Sequence, residues 1–354
     1  MSENKKILYT SFNQYSNNSY FLIGTKEGCT IYQTDPFKKG FDLSKSQLKN
    51  IILINLFKYI DIKGEFSMVR MYKSSNIFGI VRANNNKELG KRELIIWDDK
   101  DQKIIYKYKF KTDIINFELT EDYIVVVLYS KIYVFDVTNF QIVDIIKTGS
   151  NPKGLVGFSH KKGNMVVYPS TEDCKGKITI KNYESKSYIY LNPDENEVVY
   201  FTLSYDGLFL ATFSKKSNKI RIYEASTGKL LDELPERDDV KFLSIKNDNY
   251  YIFFSQKRDN IDIWSLVKAN KIIGKTIDED NEVTNVHKGF IHKRDIQFNQ
   301  VNLMDKKSQF EYEFITFGNK NNLFIITSNG KLHKVIFEKK KKGSSTDVEK
   351  NNLF

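Results

Sequence analysis

The chain has 354 residues, and its 55 Lys and Arg against 44 Asp and Glu give a formal net charge of +11. No uncharged apolar run reaches the roughly 18 residues of a membrane span and no signal peptide is evident, which excludes a transmembrane helix and predicts a soluble, cytoplasmic protein. The basic surplus would suit an anionic partner, nucleic acid or acidic lipid, but it is equally what a solvated charged surface carries.

The composition favours strands, with 26 Phe and 21 Tyr against 5 Pro. The two cysteines, Cys29 and Cys174, lie in separate predicted blades and lack metal-ligand spacing, which suits a reducing compartment. The four histidines are scattered along the chain. We therefore predict no metal, no cofactor and no enzymatic activity.

A short strand ending recurs along the chain and predicts the repeated unit of a β-propeller. The third residues of its copies are spaced by 65, 38, 46, 42, 41 and 71 residues: Tyr32, Trp97, Phe135, Lys181, Tyr223, Trp264 and Val335. Four spacings are close to the roughly 40 to 45 residues of a four-stranded blade, and the two long ones leave room for insertions. We predict an all-β fold, a seven-bladed β-propeller of four-stranded antiparallel blades over residues 1–338. An irregular β-sandwich is the alternative.

The clearest copy begins with an Asp206-Gly207 turn between two alternating strands, and Thr227-Gly228 opens its last hairpin. The second long spacing contains residues 271–282, where three isoleucines stand among many charges. From its charges this insertion is predicted to be a solvated loop. Residues 339–354 start with a lysine run and are predicted to be a disordered charged tail.

Several segments resemble the PROPPIN or WIPI family of WD-repeat autophagy β-propellers, over roughly residues 7–337. They are residues 11–14 (Ser-Phe-Asn-Gln), 31–36 (Ile-Tyr-Gln-Thr-Asp-Pro), 94–99 (Leu-Ile-Ile-Trp-Asp-Asp), 151–155 (Asn-Pro-Lys-Gly-Leu) and 166–170 (Val-Val-Tyr-Pro-Ser). The resemblance implies a non-catalytic autophagy adaptor. It also implies recruitment to membranes marked by phosphatidylinositol 3-phosphate or the 3,5-bisphosphate, and binding of autophagy proteins such as a lipid-transfer partner. As the alternative to a solvated loop, it implies that the insertion containing residues 271–282 touches the membrane.

The chain departs from the family at the lipid site. The family has Leu or Phe followed by Arg-Arg-Gly, whose two arginines point to opposite faces of a strand and each offer a planar fork to phosphate. Residues 233–239 read Glu-Leu-Pro-Glu-Arg-Asp-Asp instead, with one arginine out of register among carboxylates. The head-group candidates that the resemblance leaves are Thr212, Ser214, Arg221, Arg237, Ser255 and Arg258. Each lost charge-assisted contact costs roughly 1.5–3 kcal/mol, so we expect weakened lipid binding.

The resemblance also implies that the first blades contact the partner protein, with Asn13, Gln14, Thr34 and Asp35 as candidates. We expect a monomer that binds no nucleic acid and associates peripherally with preautophagosomal or endosomal membranes. Two alternatives stay open. One is a protein-interaction scaffold that has lost phosphoinositide binding, and the other is an unrelated WD-repeat enzyme subunit or nucleic-acid adaptor.

Overall fold

The chain folds into antiparallel β-strands, as its runs of Ile, Val, Tyr and Phe favour. In the computed structural model the described residues are 7, 9–13, 20–25, 28–34, 37–42, 65–73, 75–83, 91–159, 164–171, 176–193, 198–214, 216–234, 240, 242–245, 251–256, 260–265, 275–277, 283–285, 298–302, 312–317, 322–327, 331–336 and 347–352. Within these ranges, no helix is long and apolar enough to cross a bilayer.

The chain divides into two compact units, and the first comprises residues 1–154, 310–334 and 348–354. It holds the strands of the first three sheets and nearly all of the last. These strands are β1 (Tyr9–Phe12), β2 (Tyr20–Thr25), β3 (Gly28–Thr34), β4 (Phe37–Asp42), β5 (Glu65–Met71), β6 (Ile77–Ala83), β7 (Glu93–Asp98), β8 (Lys103–Lys109), β9 (Asn116–Leu119), β10 (Tyr123–Val127), β11 (Lys131–Asp136), β12 (Ile142–Lys147), β27 (Tyr312–Phe317), β28 (Asn322–Thr327), β29 (Lys331–Ile336) and β30 (Asp347–Asn352).

The second unit comprises residues 155–309 and 335–347. It holds the remaining strands, which carry all the predicted head-group residues that lie in a strand. They are β13 (Gly157–Phe158), β14 (Met165–Pro169), β15 (Ile178–Asn182), β16 (Ser187–Leu191), β17 (Val198–Leu203), β18 (Phe209–Ser214), β19 (Lys219–Glu224), β20 (Leu230–Leu234), β21 (Phe242–Ile245), β22 (Tyr251–Gln256), β23 (Asn260–Ser265), β24 (Lys275–Ile277), β25 (Val283–Asn285) and β26 (Phe298–Asn302).

The sheet topology corrects the predicted blade count. Among the described strands, six sheets consist of four strands that are consecutive in the chain: β1–β4, β5–β8, β9–β12, β13–β16, β17–β20 and β27–β30. The remaining four-stranded sheet has the order β21-β22-β23-β26, and a separate two-stranded sheet, β24-β25, lies between its third and fourth strands in the chain. The prediction of a seven-bladed propeller of four-stranded blades was therefore wrong. Six sheets are regular blades of a β-propeller, whereas the remaining four-stranded sheet is interrupted by the hairpin β24-β25 before its fourth strand.

Within a sheet, burial falls from the inner strands to the last one. Ile124 to Val127 of β10 are buried, whereas Ile142, Val143 and Ile145 of the fourth strand, β12, are exposed. Buried residues on the faces of consecutive sheets pack together, as Phe117 and Phe135 of the third sheet do with Leu94 of the second. Each blade thus depends on a neighbouring sheet to cover its apolar face.

The predicted turn at Asp206-Gly207 is confirmed. Gly207 has φ +75°, and its N–H donates to the carbonyl of Ser204 at 2.9 Å. The Ser204 hydroxyl accepts the N–H of Phe209 at 2.9 Å, which starts β18. A Cβ at position 207 would come within 3.0 Å of the Cβ of Ser159, so both the conformation and the space favour glycine here.

The first and last sheets of the chain pack together inside the first unit. Phe12 of β1 stacks on Phe21 of β2, with ring centroids 5.0 Å apart, and lies 6.2 Å from the ring of Phe324 in β28. The buried cluster also includes Ile326 and Leu332. Phe12 and Phe324, which are more than 300 residues apart in the chain, thus lie in one hydrophobic core.

The predicted disordered tail, 339–354, contains a strand. β30 (Asp347–Asn352) forms the fourth strand of the last sheet, in the order β27-β28-β29-β30. A domain boundary at residue 338 would cut this strand from its sheet. Its sequence, Asp-Val-Glu-Lys-Asn-Asn, has no alternation of apolar and polar residues. The last strand of a sheet can form without such alternation, because backbone hydrogen bonds to the neighbouring strand hold it in place.

Deletion of residues 347–354 should lower the melting temperature by several degrees, because β29 loses its ladder partner and each backbone hydrogen bond contributes about 1 kcal/mol net. Thermal unfolding followed by circular dichroism measures the effect. A chain carrying Lys340→Gln, Lys341→Gln and Lys342→Gln is the control, since it changes the charge but keeps β30. An unchanged melting temperature after the deletion would show that the strand adds nothing to the sheet.

Candidate functional site

One face of sheet β17–β20 gathers polar side chains from three strands. Thr212 in β18 pairs with Arg221 in β19, and Arg221 pairs in turn with Glu233 in β20. Ser214 pairs with Lys219 two residues away along the same strands. Paired residues share a face, as do residues two apart in one strand. We call these five residues the polar face.

A carboxylate joins the two cations of the polar face. Lys219 Nζ lies 2.7 Å from Glu233 Oε1, and Arg221 Nε lies 2.8 Å from Glu233 Oε2. Each oxygen of the carboxylate therefore accepts from a different cation. The Arg221 guanidinium also donates to the backbone carbonyl of Pro193, which follows β16. Charge-assisted hydrogen bonds of this kind are the stronger ones in proteins.

The polar face is partly open to solvent. The side chains of Arg221, Lys219 and Glu233 are 17%, 32% and 34% exposed, while Thr212 and Ser214 are buried. The opposite face of the sheet is apolar, with Phe213 and Ile220 packed in a buried cluster. That apolar face fixes the strand register and so determines which charged side chains meet on the polar face.

The two cations change the acidity of Glu233. The hydrogen bond from Lys219, followed by the hydrogen bond and charge of Arg221, holds the pKa of the Glu233 carboxyl below its ordinary value, against the opposing effect of partial burial. Glu233 is therefore an anion at neutral pH. The polar face has two cationic groups and one anionic group in direct contact.

The structure brings together three of the six predicted head-group residues, namely Thr212, Ser214 and Arg221. Ser255 lies in β22, paired with Phe242 and Ile261, and its side chain is outside the described residues. Arg237 and Arg258 are also outside them. The involvement of these three residues stays a prediction.

The predicted partner-binding residues lie in the first unit. Asn13 is buried, and its amide Nδ2 donates to the backbone carbonyl of Lys73 at 2.7 Å and approaches Met71 Sδ at 3.1 Å. This side chain therefore ties the end of β1 to the end of β5. Thr34 is the last residue of β3 and pairs with Phe37. Gln14 and Asp35 lie outside the described residues.

Sequence reasoning missed Lys219 and the contact that Glu233 makes. The alternation of Lys219 and Arg221 in one strand placed both cations on one face. The position of Glu233 opposite Arg221 depends on the pairing register of β19 and β20, which shifts between Ile222 and Tyr223 of β19. Such a register shift cannot be read from the residues alone.

With this geometry in place, a family model described as PROPPIN matches residues 25–343. The chain belongs to the PROPPIN family. This confirms the resemblance noted in the sequence, and the model covers every strand of the polar face. The family is one of β-propeller adaptors in autophagy, which agrees with the sheets described above.

Two curated relatives of this PROPPIN are autophagy-related proteins. It is 23% identical to autophagy-related protein 18e of Arabidopsis thaliana over 354 residues, 99% of this chain and 88% of that protein. It is 28% identical to autophagy-related protein 18 of Dictyostelium discoideum over 221 residues, 62% of this chain and 54% of that protein. The alignment thus spans about half the length of the Dictyostelium relative.

A solved structure shows the same fold. The complex of KlAtg21 with the coiled coil of AgAtg16 matches with a TM-score of 0.71 and 18% identity, over 99% of this chain and 100% of that chain. At this identity the likeness concerns the fold alone.

Lys219→Met should raise the pKa of Glu233 in this PROPPIN, because the neutral side chain removes the largest contribution that lowers it. The carboxyl resonance of Glu233, followed through a pH titration by carbon NMR, measures the change. Lys229→Met, which removes an exposed lysine from the β19–β20 hairpin, is the control and should leave the resonance unchanged.

The same titration predicts the pH dependence of stability. A carboxyl whose pKa is lower in the folded state stabilises the fold above its unfolded pKa, and this contribution is lost as the pH falls through the folded value. The difference in melting temperature between the wild type and Glu233→Gln should therefore shrink on acidification. A difference that is independent of pH would contradict the contact with the two cations.

Proposed function

We propose that this PROPPIN is a non-catalytic autophagy adaptor that binds phosphoinositide-marked membranes weakly and recruits autophagy proteins to them. The lipid is phosphatidylinositol 3-phosphate or the 3,5-bisphosphate, and the protein partners include a lipid-transfer protein. The protein acts as a cytoplasmic monomer that associates peripherally with preautophagosomal or endosomal membranes. Membership of the family and the autophagy-related names of its relatives support the adaptor role.

One observation carries the proposal of weak lipid binding, namely the engagement of Arg221 by Glu233 at 2.8 Å. A phosphate that approached Arg221 and Lys219 would meet a carboxylate already bound to both. Like charges at such a distance repel, and the lipid would also have to replace two charge-assisted hydrogen bonds. The head-group site formed by Thr212, Ser214 and Arg221 therefore has a lower affinity for phosphate than the same residues would have without Glu233.

The second candidate function is a protein-interaction scaffold that has lost phosphoinositide binding. The acidic segment at 233–239, with its carboxylates in place of an arginine pair, favours this alternative. Partner binding through the first sheets would be common to both functions. The solved complex of KlAtg21 with a coiled coil supports the proposal that this PROPPIN also binds a protein segment, and Gln14, Thr34 and Asp35 stay candidates for that contact.

A fluorescent fusion of the full chain should form puncta on starvation that shrink when phosphatidylinositol 3-kinase is inhibited. Arg221→Ala should lower the number of puncta several-fold, because it removes the one described arginine of the head-group site. Arg92→Ala, which breaks an exposed ion pair with Asp113 in the first unit, is the matched control and should leave the puncta unchanged.

Each outcome of this experiment separates the two candidates. Puncta that persist under kinase inhibition and in Arg221→Ala would support the scaffold and reject the lipid role. The absence of starvation-induced puncta in the wild type would contradict the adaptor function itself.

A further inference from the structure

We propose that Glu233 is an intramolecular competitor that occupies the anion site formed by Lys219 and Arg221, so that a phosphate monoester must displace it in order to bind. The inference rests on the proposed function and deepens it by naming what restrains the head-group site. Lys219 thereby becomes a binding residue of that site, beside Arg221.

The first argument is the way in which the carboxylate is held. Lys219 Nζ contacts Oε1 at 2.7 Å and Arg221 Nε contacts Oε2 at 2.8 Å. A carboxylate that uses one oxygen for each cation resembles a phosphate that presents two of its oxygens to two donors. A phosphate monoester brings a third oxygen and nearly twice the charge. The two cations are therefore placed so that one anion can contact both of them.

The second argument is the surroundings of the two cations. The hydroxyl-bearing Thr212 and Ser214 lie on the same face, paired with Arg221 and Lys219 respectively. The Arg221 guanidinium is fixed on its other side by the carbonyl of Pro193. Because a guanidinium has five donors in a rigid fork, a group held at one edge presents its remaining edge in a defined direction. The arginine is oriented before any ligand arrives.

The third argument is accessibility. The side chains of Glu233 and Lys219 are each about one third exposed, so an anion from solvent can reach the carboxylate without unfolding the sheet. Glu233 is also the next-to-last residue of β20, with only Leu234 after it in the strand. A small rotation of its side chain would release both cations.

A tethered competitor is always held next to the site, so a ligand must displace it and binds the occupied site more weakly than the emptied one. The low affinity of the site for a phosphate monoester then has one cause, the Glu233 carboxylate. Substituting this residue should restore much of the affinity.

Glu233→Gln keeps the size of the side chain and removes its charge. Isothermal titration with soluble inositol 1,3-bisphosphate should show an affinity at least about tenfold higher than that of the wild type. Vesicles that contain phosphatidylinositol 3-phosphate should show the same gain in flotation, whereas inorganic phosphate at equal concentration separates the effect of a free phosphate from that of the head group. Glu184→Gln, which removes an exposed carboxylate from the β15–β16 turn of the same unit, is the matched control and should leave all three measurements unchanged.

The double variant Glu233→Gln and Lys219→Met should lose the gain, because the proposal assigns Lys219 to the anion. A second measurement needs no substitution. In the wild type, saturating inositol 1,3-bisphosphate should move the pKa of Glu233 toward its ordinary value, since the displaced carboxylate leaves both cations.

Equal affinity in the wild type and Glu233→Gln, together with an unmoved Glu233 resonance, would overturn the inference. A gain that survives in the double variant would overturn the assignment of Lys219. Neither result would touch the adaptor function, which the cellular puncta test independently. Conversely, the loss of starvation-induced puncta would reject the adaptor while leaving the anion site open to soluble phosphate esters.

Discussion

The mutual burial of sheet faces is the constraint on which this protein depends. The six residues of β18, Phe209–Ser214, are all buried, and the apolar ones among them cover two different clusters. Leu210 packs with Val167 of the preceding sheet, and Phe213 packs with Val240 and Ile245 on the other side. A four-stranded sheet of this composition is stable only between neighbours, because removing apolar surface from water is its main source of stability.

The same constraint places the charges. Phe213, Ile220 and Leu234 pack in the apolar cluster on one face of the sheet. Because side chains alternate along a strand, the five residues of the polar face lie on the opposite face. Two cations so close together would repel each other, and Glu233 offsets that repulsion from the adjacent strand. The ion pairs are partly exposed, so they contribute little to folding.

The first unit also contains an arginine–glutamate ion pair, but this pair connects two sheets. Arg70 of β5 lies 2.6 Å from Glu118 of β9, and its guanidinium is also 3.2 Å from Asn116 Oδ1. Burial disfavours both charges, and their attraction opposes that cost, since the charge of Glu118 raises the pKa of Arg70. This pair joins two neighbouring sheets. The ion pairs of Glu233 in the second unit join strands of one sheet and stay within reach of solvent.

The residues alone determined the all-β class, the repeats and the Asp206-Gly207 turn, because strand alternation and turn chemistry act between near neighbours in the chain. The grouping of Thr212, Ser214 and Arg221 came from the family resemblance. The tertiary structure decided the rest. It took the fourth strand of one sheet from residues 298–302, beyond an inserted hairpin, and made a strand of the polar segment 347–352. It buried the amide of Asn13 and set Glu233 against Lys219 and Arg221. These outcomes depend on the register and pairing of separate strands, which packing between sheets selects and local sequence leaves open.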